Sequence, residues 1–295
     1  MELNNKPMHR IISYNNTLYD ENTGAVTAFS RAVHYGDGVF ETIRARGERA
    51  FRLDDHLERL CTGLKVLRIP LPRLPELKAE VSEVLRANGL PESRVKIIAF
   101  RSGPPGPTPA ATREPCTLIT VDTIDHDALN CNAAGITAGI AAIRRNTTSP
   151  LCGIKSLNYL DNICARMHAA DNGHLEALFL NQHGFVAEGA TSNVFMVQDN
   201  ALRTPPPGSG ALPGITRRVL FEIAKALCLP CDECDISPEE LKAADEIFLT
   251  NAGSGVMPLT RLDKETISNG KPGPVTLRCQ AAYNEILTWE TEPAP

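Results

Sequence analysis

The sequence predicts an α+β protein built from two domains. Its 295 residues are typical of about two domains, each able to bury a core. Two stretches with helical periodicity, 54–68 and 74–88, lie among strand-like stretches of alternating or continuous apolar residues. Residues 122–134 lose this periodicity and gain charge. We therefore predict a smaller N-terminal α/β domain at 1–121, a linker at 122–134 and a larger domain at 135–295.

The composition is that of an ordinary globular protein, with 42% hydrophobic and 22% charged residues. Lys and Arg number 30 against 35 Asp and Glu, giving a net charge of -5, and no basic block could follow a nucleic-acid backbone. The N-terminal residues lack the apolar core of a signal peptide, and no apolar run is long enough to span a bilayer. We expect a cytoplasmic protein that binds neither nucleic acid nor a membrane.

Nine cysteines, an odd number spread along the chain, favour reduced thiols over a disulfide framework. Cys228, Cys231 and Cys234 form a C-x-x-C-x-x-C run that is similar to part of a zinc or iron-sulfur site. Neither a second cysteine pair nor a nearby histidine follows to complete such a site. We interpret these cysteines as small residues at a helix end and in the next strand, and we predict no metal.

The first predicted strands are short. Residues 8–14 and 17–19 are typical of two strands joined by an Asn-Asn turn. A longer strand follows a glycine turn, and its period of two sends Phe40, Thr42 and Arg44 to one face. An arginine and a phenylalanine on the same face suit either the lining of a ligand cavity or a solvated sheet edge.

Two helices follow this strand. The helix at 54–68 has Asp54 at its predicted N-cap and apolar residues three and four positions apart. Arg59 lies beside the apolar stripe, and the helical pattern taken alone is typical of a surface arginine whose aliphatic stem covers apolar side chains. The second helix, 74–88, ends at Gly89.

Strands at 94–101 and 116–122 complete the smaller domain. The loop between them, 103–109, is so rich in proline and glycine that it cannot be regular structure. A long loop in a compact domain is often functional.

The larger domain mixes strands and helices. We predict a strand at 135–143, a helix at 156–172, a strand meander at 176–204, an amphipathic helix starting at Ile215 and a buried strand at 245–250.

Lys155 stands where a polar loop gives way to the predicted helix, and Tyr159 would lie one turn further along the same helix face. A lysine held by apolar neighbours at such a junction is suited to form an imine with a carbonyl compound. The alternative is a solvated surface lysine without a chemical role.

Two other features could bind parts of a ligand. Glu188 ends the apolar strand 185–187, where a carboxylate is costly and needs a cationic or donor partner. A Gly/Pro loop opens the helix at Ile215, and the N–H groups of such a helix start can bind an anion such as phosphate. The small-residue loop 251–255 could also bring its backbone close to a ligand.

These candidates converge on one cofactor. The sequence contains no Walker A loop, Rossmann glycine motif, H-E-x-x-H helix or G-x-S-x-G elbow. A lysine, a carboxylate, an arginine and two anion-binding loops together describe a site for pyridoxal phosphate (PLP). In such a site the lysine forms the imine, the carboxylate keeps the pyridine nitrogen protonated, and the arginine and helix start bind the phosphate.

Motifs that occur in the same order as in a known family support this interpretation. They are residues 34–41 (HYGDGVFE), 55–60 (DHLERL), 154–159 (IKSLNY), 188–195 (EGATSNVF), 212–217 (LPGITR) and 245–248 (DEIF). They resemble the class IV aminotransferases of PLP fold type IV, which include branched-chain and D-amino-acid aminotransferases and aminodeoxychorismate lyases. The resemblance implies a D-amino-acid aminotransferase-like fold whose larger domain has mixed sheets and a barrel-like core. It also implies a homodimer with the active site between the domains, near the subunit interface.

The resemblance further implies roles for single residues. Lys155 would be the catalytic Schiff-base lysine, Glu188 the partner of the pyridine nitrogen and Tyr159 the partner of the phenolic oxygen. The phosphate would be bound by Arg59, the N–H groups of Ile215 and Thr216, and the loop at Ala252 and Gly253. The substrate pocket would be lined by Tyr35, Phe40, Arg44 and Lys96. In a homodimer, Tyr35 could enter the pocket from the partner subunit.

The substrate class stays open because subfamily features are mixed. Residues 34–36 and 211–217 resemble branched-chain enzymes, but Thr42 replaces the glycine of their Phe-Glu-Gly, and 94–96 (RVK) replaces their Tyr-x-Arg. The Arg-x-His loop of D-amino-acid aminotransferases is missing. Residues 40–44 and the Lys155-Ser156 pair would suit an aminodeoxychorismate lyase.

We predict a PLP-dependent transaminase that moves an amino group between a branched-chain-like amino acid, a D-amino acid or an amine and a 2-keto acid in ping-pong order. The alternative is an aminodeoxychorismate lyase that releases pyruvate and 4-aminobenzoate. A third hypothesis is a PLP-binding protein without catalysis, against which intact Lys155, Glu188 and Arg59 argue.

Overall fold

The first hairpin forms where Asn15 and Asn16 both adopt the left-handed conformation, with φ of 50° and 61°. Asparagine tolerates this conformation, and two such residues in succession make a tight turn that matches the twist of the strands. The computed structural model describes residues 9–109, 114–126, 129 and 134–292. Its first two strands confirm the predicted pair.

These strands belong to a six-stranded antiparallel sheet in the order β2-β1-β6-β5-β3-β4. Its strands are β1 Ile11–Tyr14, β2 Thr17–Asp20, β3 Gly38–Arg46, β4 Arg49–Ala50, β5 Glu92–Arg101 and β6 Pro115–Thr123. The helices of this part are α1 Arg31–Tyr35, α2 Leu53–Val66 and α3 Leu74–Asn88.

The two longer helices pack on the sheet, α2 against β3 and β5 and α3 against β1 and β6. Leu60 and Leu64 of α2 are buried because a spacing of four places them on one helix face. Gly89 ends α3 in the left-handed conformation, as predicted. The predicted N-cap of α2 is wrong, since Arg52 occupies that position and Asp54 lies in the first turn. There its negative charge favours the positive end of the helix.

Strand β3 confirms the predicted alternation. The cross-strand pairs on one face are Phe40–Ile98, Thr42–Lys96 and Arg44–Arg94. Glu41 lies on the opposite face, which α2 covers, and is 0% exposed. Strand β3 therefore has a buried carboxylate on one face, and on the other face its Arg44 lies beside Arg94 and Lys96 of β5.

The second sheet is mixed and has nine strands, in the order β12-β11-β10-β13-β14-β7-β8-β9, with β15 paired to β14. Its strands are β7 Ile136–Arg145, β8 Glu176–Asn181, β9 Val186–Gly189, β10 Asn193–Gln198, β11 Ala201–Thr204, β12 Cys231–Glu233, β13 Glu246–Asn251, β14 Gly255–Leu262 and β15 Glu265–Thr266. Its helices are α4 Leu160–Asp171, a 3-10 turn Pro207–Ser209, α5 Ile215–Ala226, α6 Pro238–Lys242 and α7 Pro274–Thr291.

Strand β7 runs parallel to both β8 and β14. Parallel neighbours need a crossover connection, and the crossover from β7 to β8 contains Lys155 and α4. Ala165 and Ala169 of α4 pack against Phe179 of β8 in a buried cluster. The crossover thereby fixes the segment around Lys155 against the sheet.

The helix after Lys155 begins later than predicted. It starts at Leu160 instead of 156, and Tyr159 occupies its N-cap. Gly153 has a φ of 86°, and the Tyr159 N–H donates to the Leu157 carbonyl, so turns occupy the segment before the helix. Tyr159 therefore does not lie one helical turn beyond Lys155 on a shared helix face.

The chain divides after Ile124 into two compact units, which within the described part are residues 9–124 with 291–292, and 125–290. Strand β6 continues through Thr123 and so includes the first residues of the predicted linker 122–134. Residues 127–128 and 130–133 of that linker lie outside the described residues.

The first two cysteines of the run lie at a helix end and in the next strand, as predicted, and Cys234 directly follows that strand. Cys228 follows α5 with a φ of 52°, and Cys231 begins β12. Among the described residues, no group of three His, Cys, Asp or Glu side chains is arranged to hold a metal ion. In the same residues, no helix is both long and apolar enough to cross a lipid bilayer.

Candidate active site

Glu188 lies on β9 with its side chain 12% exposed. Its Oε1 is 2.9 Å from Arg145 Nη2, and its Oε2 accepts a hydrogen bond of 2.8 Å from the Leu212 N–H. The carboxylate therefore has both kinds of partner that the sequence required of it. Burial raises the pKa of Glu188, although Arg145, the Leu212 N–H and Lys155 act in the opposite direction. A ligand that placed a cation or a hydrogen-bond donor beside this carboxylate would stabilise its ionised form.

Arg145 is a site residue that sequence reasoning missed. It ends β7, its side chain is 18% exposed, and its guanidinium carbon lies 4.0 Å from the centre of the Phe179 ring. The only sequence signal is the need of Glu188 for a cation, which does not say which arginine supplies it.

Lys155 lies within electrostatic reach of Glu188, whose pKa it lowers. Its Nζ is 5.6 Å from the centre of the Tyr159 ring. The second unit thus brings Lys155, Tyr159 and Glu188 together, although these residues lie on a turn, a helix N-cap and a strand.

Tyr159 fixes the segment that follows Glu188. Its hydroxyl donates to the Ala190 carbonyl at 3.0 Å, and Asn162 Nδ2 donates to the same oxygen at 2.6 Å. Burial, and then the negative charges of Glu188 and Glu176, raise the pKa of Tyr159 to about 12. The hydroxyl therefore remains a hydrogen-bond donor at neutral pH.

Glu176 is a second residue that sequence reasoning missed, since it appears only as the first residue of a strand. It is 2% exposed and accepts hydrogen bonds from Thr191 N–H at 3.2 Å, Thr191 Oγ1 at 2.5 Å and Ser192 Oγ at 3.1 Å. This buried carboxylate holds the turn between β9 and β10 in place.

The start of α5 is held by the same group of strands. Glu188 accepts from the Leu212 N–H, and Asn193 Nδ2 donates to the Leu212 carbonyl at 2.8 Å. A Cβ at Gly214 would collide with Asn193 Oδ1, so a larger residue at this N-cap would displace the Asn193 side chain. Ile215 and Thr216 are buried and precede the first intrahelical hydrogen bond, from Arg218 N–H to Gly214. Their N–H groups are of the kind that binds anions.

The loop that contains Ala252 and Gly253 follows β13. Asn251 Oδ1 accepts from the Ser254 N–H at 2.7 Å and closes the loop. Thr250 pairs with Asn193, the residue that also holds the turn before α5. The two predicted phosphate-binding segments of this unit are therefore linked through Asn193.

In the first unit, Arg59 is not the surface arginine that the helical pattern predicts. Its side chain is 11% exposed and forms an ion pair with Glu41 on β3, with Nε and Nη2 both donating to the carboxylate. His56 Nδ1 lies 2.7 Å from the same carboxylate. The periodicity places Arg59 beside the apolar stripe, but it cannot show that a buried acid lies opposite.

The predicted substrate-binding residues are distributed over the first unit. Lys96 Nζ lies 4.7 Å from the centre of the Phe40 ring, and burial and Arg94 lower the pKa of Lys96. Arg44 is on the same sheet face. Its Nη2 donates to Glu92 at 3.1 Å. Tyr35 ends α1, its ring 5.0 Å from the Arg31 guanidinium carbon.

The chain is similar to known proteins over nearly its whole length. The sequence model of the family "Amino-transferase class IV" matches residues 38–262. The putative branched-chain-amino-acid aminotransferase of Methanocaldococcus jannaschii is 32% identical over 283 residues, which cover 94% of this chain and 96% of the relative.

Solved structures give the same result. The branched-chain aminotransferase from Thermoproteus uzoniensis with norvaline matches at a TM-score of 0.89 and 32% identity, covering 96% of each chain. The branched-chain amino acid aminotransferase from Thermobaculum terrenum in its PLP form matches at a TM-score of 0.86 and 27% identity, covering 97% of this chain and 96% of the other. The predicted PLP fold type IV is thereby confirmed. The chain belongs to the class IV aminotransferase family and is an enzyme of the transaminase type.

Proposed function

We propose that the protein transfers the amino group of an aliphatic amino acid of the branched-chain type to a 2-keto acid, in ping-pong order, with PLP bound at Lys155. The observation that carries this proposal is the cluster of Lys155, Tyr159 and Glu188 in one unit. The substrate class is supported by relatives named as branched-chain aminotransferases, one of them solved with norvaline, a small aliphatic amino acid.

The residues present fit PLP by their chemistry. When bound, PLP supplies an aldehyde that condenses with an amine and a pyridine ring that takes up electrons. Glu188, with its raised pKa and buried position, suits a proton-bearing ring nitrogen, since an adjacent cation would lower that pKa. The N–H groups at the start of α5 suit the phosphate.

Each of these residues has a distinct task in the proposed reaction. Lys155 would hold the aldehyde carbon and, once the amino donor has replaced it there, its freed amine would take the proton from the donor's α-carbon and deliver it to the former aldehyde carbon. Glu188 keeps a proton on the pyridine nitrogen. Tyr159 would donate its O–H to the phenolic oxygen, and Asn162 would still donate to the Ala190 carbonyl that Tyr159 contacts without the cofactor.

The phosphate and the substrate involve the remaining residues. We assign the phosphate to Arg59, the N–H groups of Ile215 and Thr216, and the loop at Ala252 and Gly253. We assign the substrate side to Tyr35, Phe40, Arg44 and Lys96. On the sheet face that carries the last three, Phe40 supplies apolar surface and Lys96 a cation.

Replacement of Lys155 tests the proposal. Lys155→Ala should abolish both the visible absorbance of the PLP-loaded protein and its turnover, because no amine remains at this position to hold the aldehyde. Lys225→Ala, which removes a lysine from α5, is the matched control and should keep both. Normal turnover of Lys155→Ala would overturn the assignment.

The substrate is tested with a panel of amino donors: L-leucine, D-alanine and (R)-1-phenylethylamine, each with 2-oxoglutarate or pyruvate, alongside aminodeoxychorismate. We expect L-leucine to give the highest kcat/KM. The relatives reported above are aminotransferases and give no support to the lyase alternative. A spectrum that does not change with any donor would instead favour a PLP-binding protein without catalysis.

We also propose that the protein is a homodimer. Leu160, Ile163 and Met167 of α4 are 75%, 47% and 62% exposed, and their spacing of three and four places them on one helix face. A face this apolar suits burial against a second copy. Light scattering should give a dimer mass, and Ile163→Glu with Met167→Glu should give a monomer. His168→Glu on the neighbouring face is the control and should remain a dimer.

A further inference from the structure

We propose that Glu41 is a positioning residue for the cofactor phosphate: it holds one edge of the Arg59 guanidinium so that the other edge faces the phosphate. The inference rests on the proposed role of Arg59 and deepens it, because Glu41 itself would touch neither cofactor nor substrate.

The contacts of Glu41 are those of a clamp. Its Oε1 accepts from Arg59 Nε at 2.8 Å and its Oε2 from Arg59 Nη2 at 2.6 Å, a two-point pair that fixes the plane of the guanidinium. His56 Nδ1 lies 2.7 Å from Oε2 and holds the carboxylate from the same helix. His56 and Arg59 are three residues apart on α2 and therefore share a helix face.

Stability alone does not explain this group. Glu41 is 0% and His56 1% exposed, on a sheet face that otherwise carries the buried apolar residues Val39 and Ile43. A buried ion pair is often no more stabilising than apolar side chains of similar volume, because both charges lose their hydration. A positioning role for Arg59 accounts for the presence of a carboxylate here.

The clamp determines how Arg59 can bind an anion. A guanidinium has five N–H donors, and Glu41 takes those on the Nε–Nη2 edge, so a phosphate would be bound through the Nη1–Nη2 end. A long arginine side chain loses conformational entropy when it binds a ligand, and fixing it in advance lowers the cost of binding.

The charge of Glu41 acts in the opposite direction. A carboxylate near a phosphate would oppose phosphate binding, because the two negative charges repel each other. If Glu41 were only a nearby charge, its removal would strengthen phosphate binding. If it positions Arg59, removal weakens phosphate binding, so the sign of the change separates the two roles.

The experiment compares PLP with pyridoxal, which lacks the phosphate, as ligands of the full-length apoprotein. The ratio of the pyridoxal Kd to the PLP Kd isolates the phosphate contribution to affinity. In Glu41→Gln the amide offers one acceptor and one donor, so it cannot accept from both Nε and Nη2. We expect this ratio to fall by roughly tenfold, equivalent to 1.4 kcal/mol, with the pyridoxal Kd nearly unchanged.

Two further variants complete the test. Glu80→Gln is the matched control, because Glu80 is also a buried carboxylate of this unit but binds Ser13 Oγ and the Asn16 N–H; the ratio should not change. Glu41→Asp, which keeps the charge but withdraws it by one methylene, should lower the ratio as well and serves if Glu41→Gln does not fold.

The outcomes distinguish the inference from the proposed function. An unchanged or higher ratio in a folded Glu41 variant overturns the positioning role. A ratio that is unchanged in Arg59→Ala overturns the assignment of Arg59, and the inference with it, while the transaminase assignment still stands or falls with Lys155. A fall in both Arg59→Ala and the Glu41 variants supports the inference.

Discussion

Glu41 and Glu188 are glutamates on strands of the two units, and burial has opposite outcomes for them. Burial by itself would raise the pKa of Glu41, but Arg59 and His56 lower it to about 2. Burial raises the pKa of Glu188, and Arg145, the Leu212 N–H and Lys155 only partly offset this effect. Both carboxylates have an arginine within 3 Å, so the presence of an ion pair does not explain the difference.

The difference lies in the number and geometry of the donors. Glu41 has two hydrogen bonds from one guanidinium and a third contact from an imidazole, which satisfy the ionised form. Glu188 has a single arginine contact and a backbone N–H. Arg59 and His56 satisfy the Glu41 carboxylate without a ligand, which suits a residue that positions Arg59. The ionised form of Glu188 would be stabilised further by a ligand that carries a proton, which suits a residue that contacts the cofactor.

Replacement of Glu41 should have the largest effect, and that effect should be on stability. Glu41→Ala leaves Arg59 and His56 buried opposite an empty position, and loss of one partner of a buried pair costs about 3–5 kcal/mol. Thermal denaturation should show a large fall in Tm. A Tm close to that of the unchanged protein would mean that Glu41 is not the clamp that its contacts indicate.

Replacement of Glu188 should lower the rate of the reaction more than it lowers the stability of the fold. Glu188→Gln should still load PLP, seen by absorbance, but lower kcat by on the order of 10²–10³-fold because the ring charge is no longer stabilised. Glu246→Gln is the matched control. Its carboxylate is buried in the same sheet but holds the start of α7 through the N–H groups of Val275 and Thr276. We expect it to reduce stability without reducing kcat, and an unaltered kcat in Glu188→Gln would contradict the proposed task.

The free energy of unfolding at acidic pH should depend on the ionisation of Glu41. Its pKa is about 2 in the folded protein against 4.5 for the ordinary side chain, so the unfolded chain binds the proton more tightly. Glu41 therefore contributes stability fully above pH 4.5 and loses it as pH falls toward 2, by on the order of 3 kcal/mol. Glu188 has the opposite sign, because its raised pKa makes the folded form lose stability as pH rises above 4.5. Urea unfolding across this range should show a shallower acid loss in Glu41→Gln; equal slopes would contradict the prediction.

The smallest effect should come from Tyr159→Phe. This change removes one neutral hydrogen bond to the Ala190 carbonyl, worth about 1 kcal/mol, while Asn162 still donates to that oxygen. If Tyr159 also donates to the cofactor, the absorbance of the PLP-loaded protein should shift in the variant. An identical spectrum would limit Tyr159 to holding the turn after Glu188.

Local patterns in the sequence predicted much of the fold. The period of two in β3 places Phe40 and Arg44 on one face, and α3 runs from Leu74 to Asn88 as predicted. The start of α4 was not predictable in the same way. An apolar pattern continues through a turn as readily as through a helix, and the turn at Gly153 depends on a left-handed backbone.

The candidate site was predictable as residue types but not as partners. The apolar stripe of α2 gives no sign that Arg59 faces a buried acid, since Glu41 lies 18 residues earlier on a different element. In the same way, Arg145 and Glu176 have no local pattern that marks them. Side chains that support a site act through contacts between elements, which a sequence period does not record.

The sequence by itself determined which chemical groups this protein has: a lysine in a strand-to-helix crossover, a carboxylate at a strand end, an arginine on a helix, and glycine turns that expose N–H groups. Only the tertiary structure decided how strongly each carboxylate holds its charge. The pKa of Glu41 or Glu188 depends on burial and on donors that strand pairing and helix packing bring within 3 Å. Neighbours along the chain supply few of those donors.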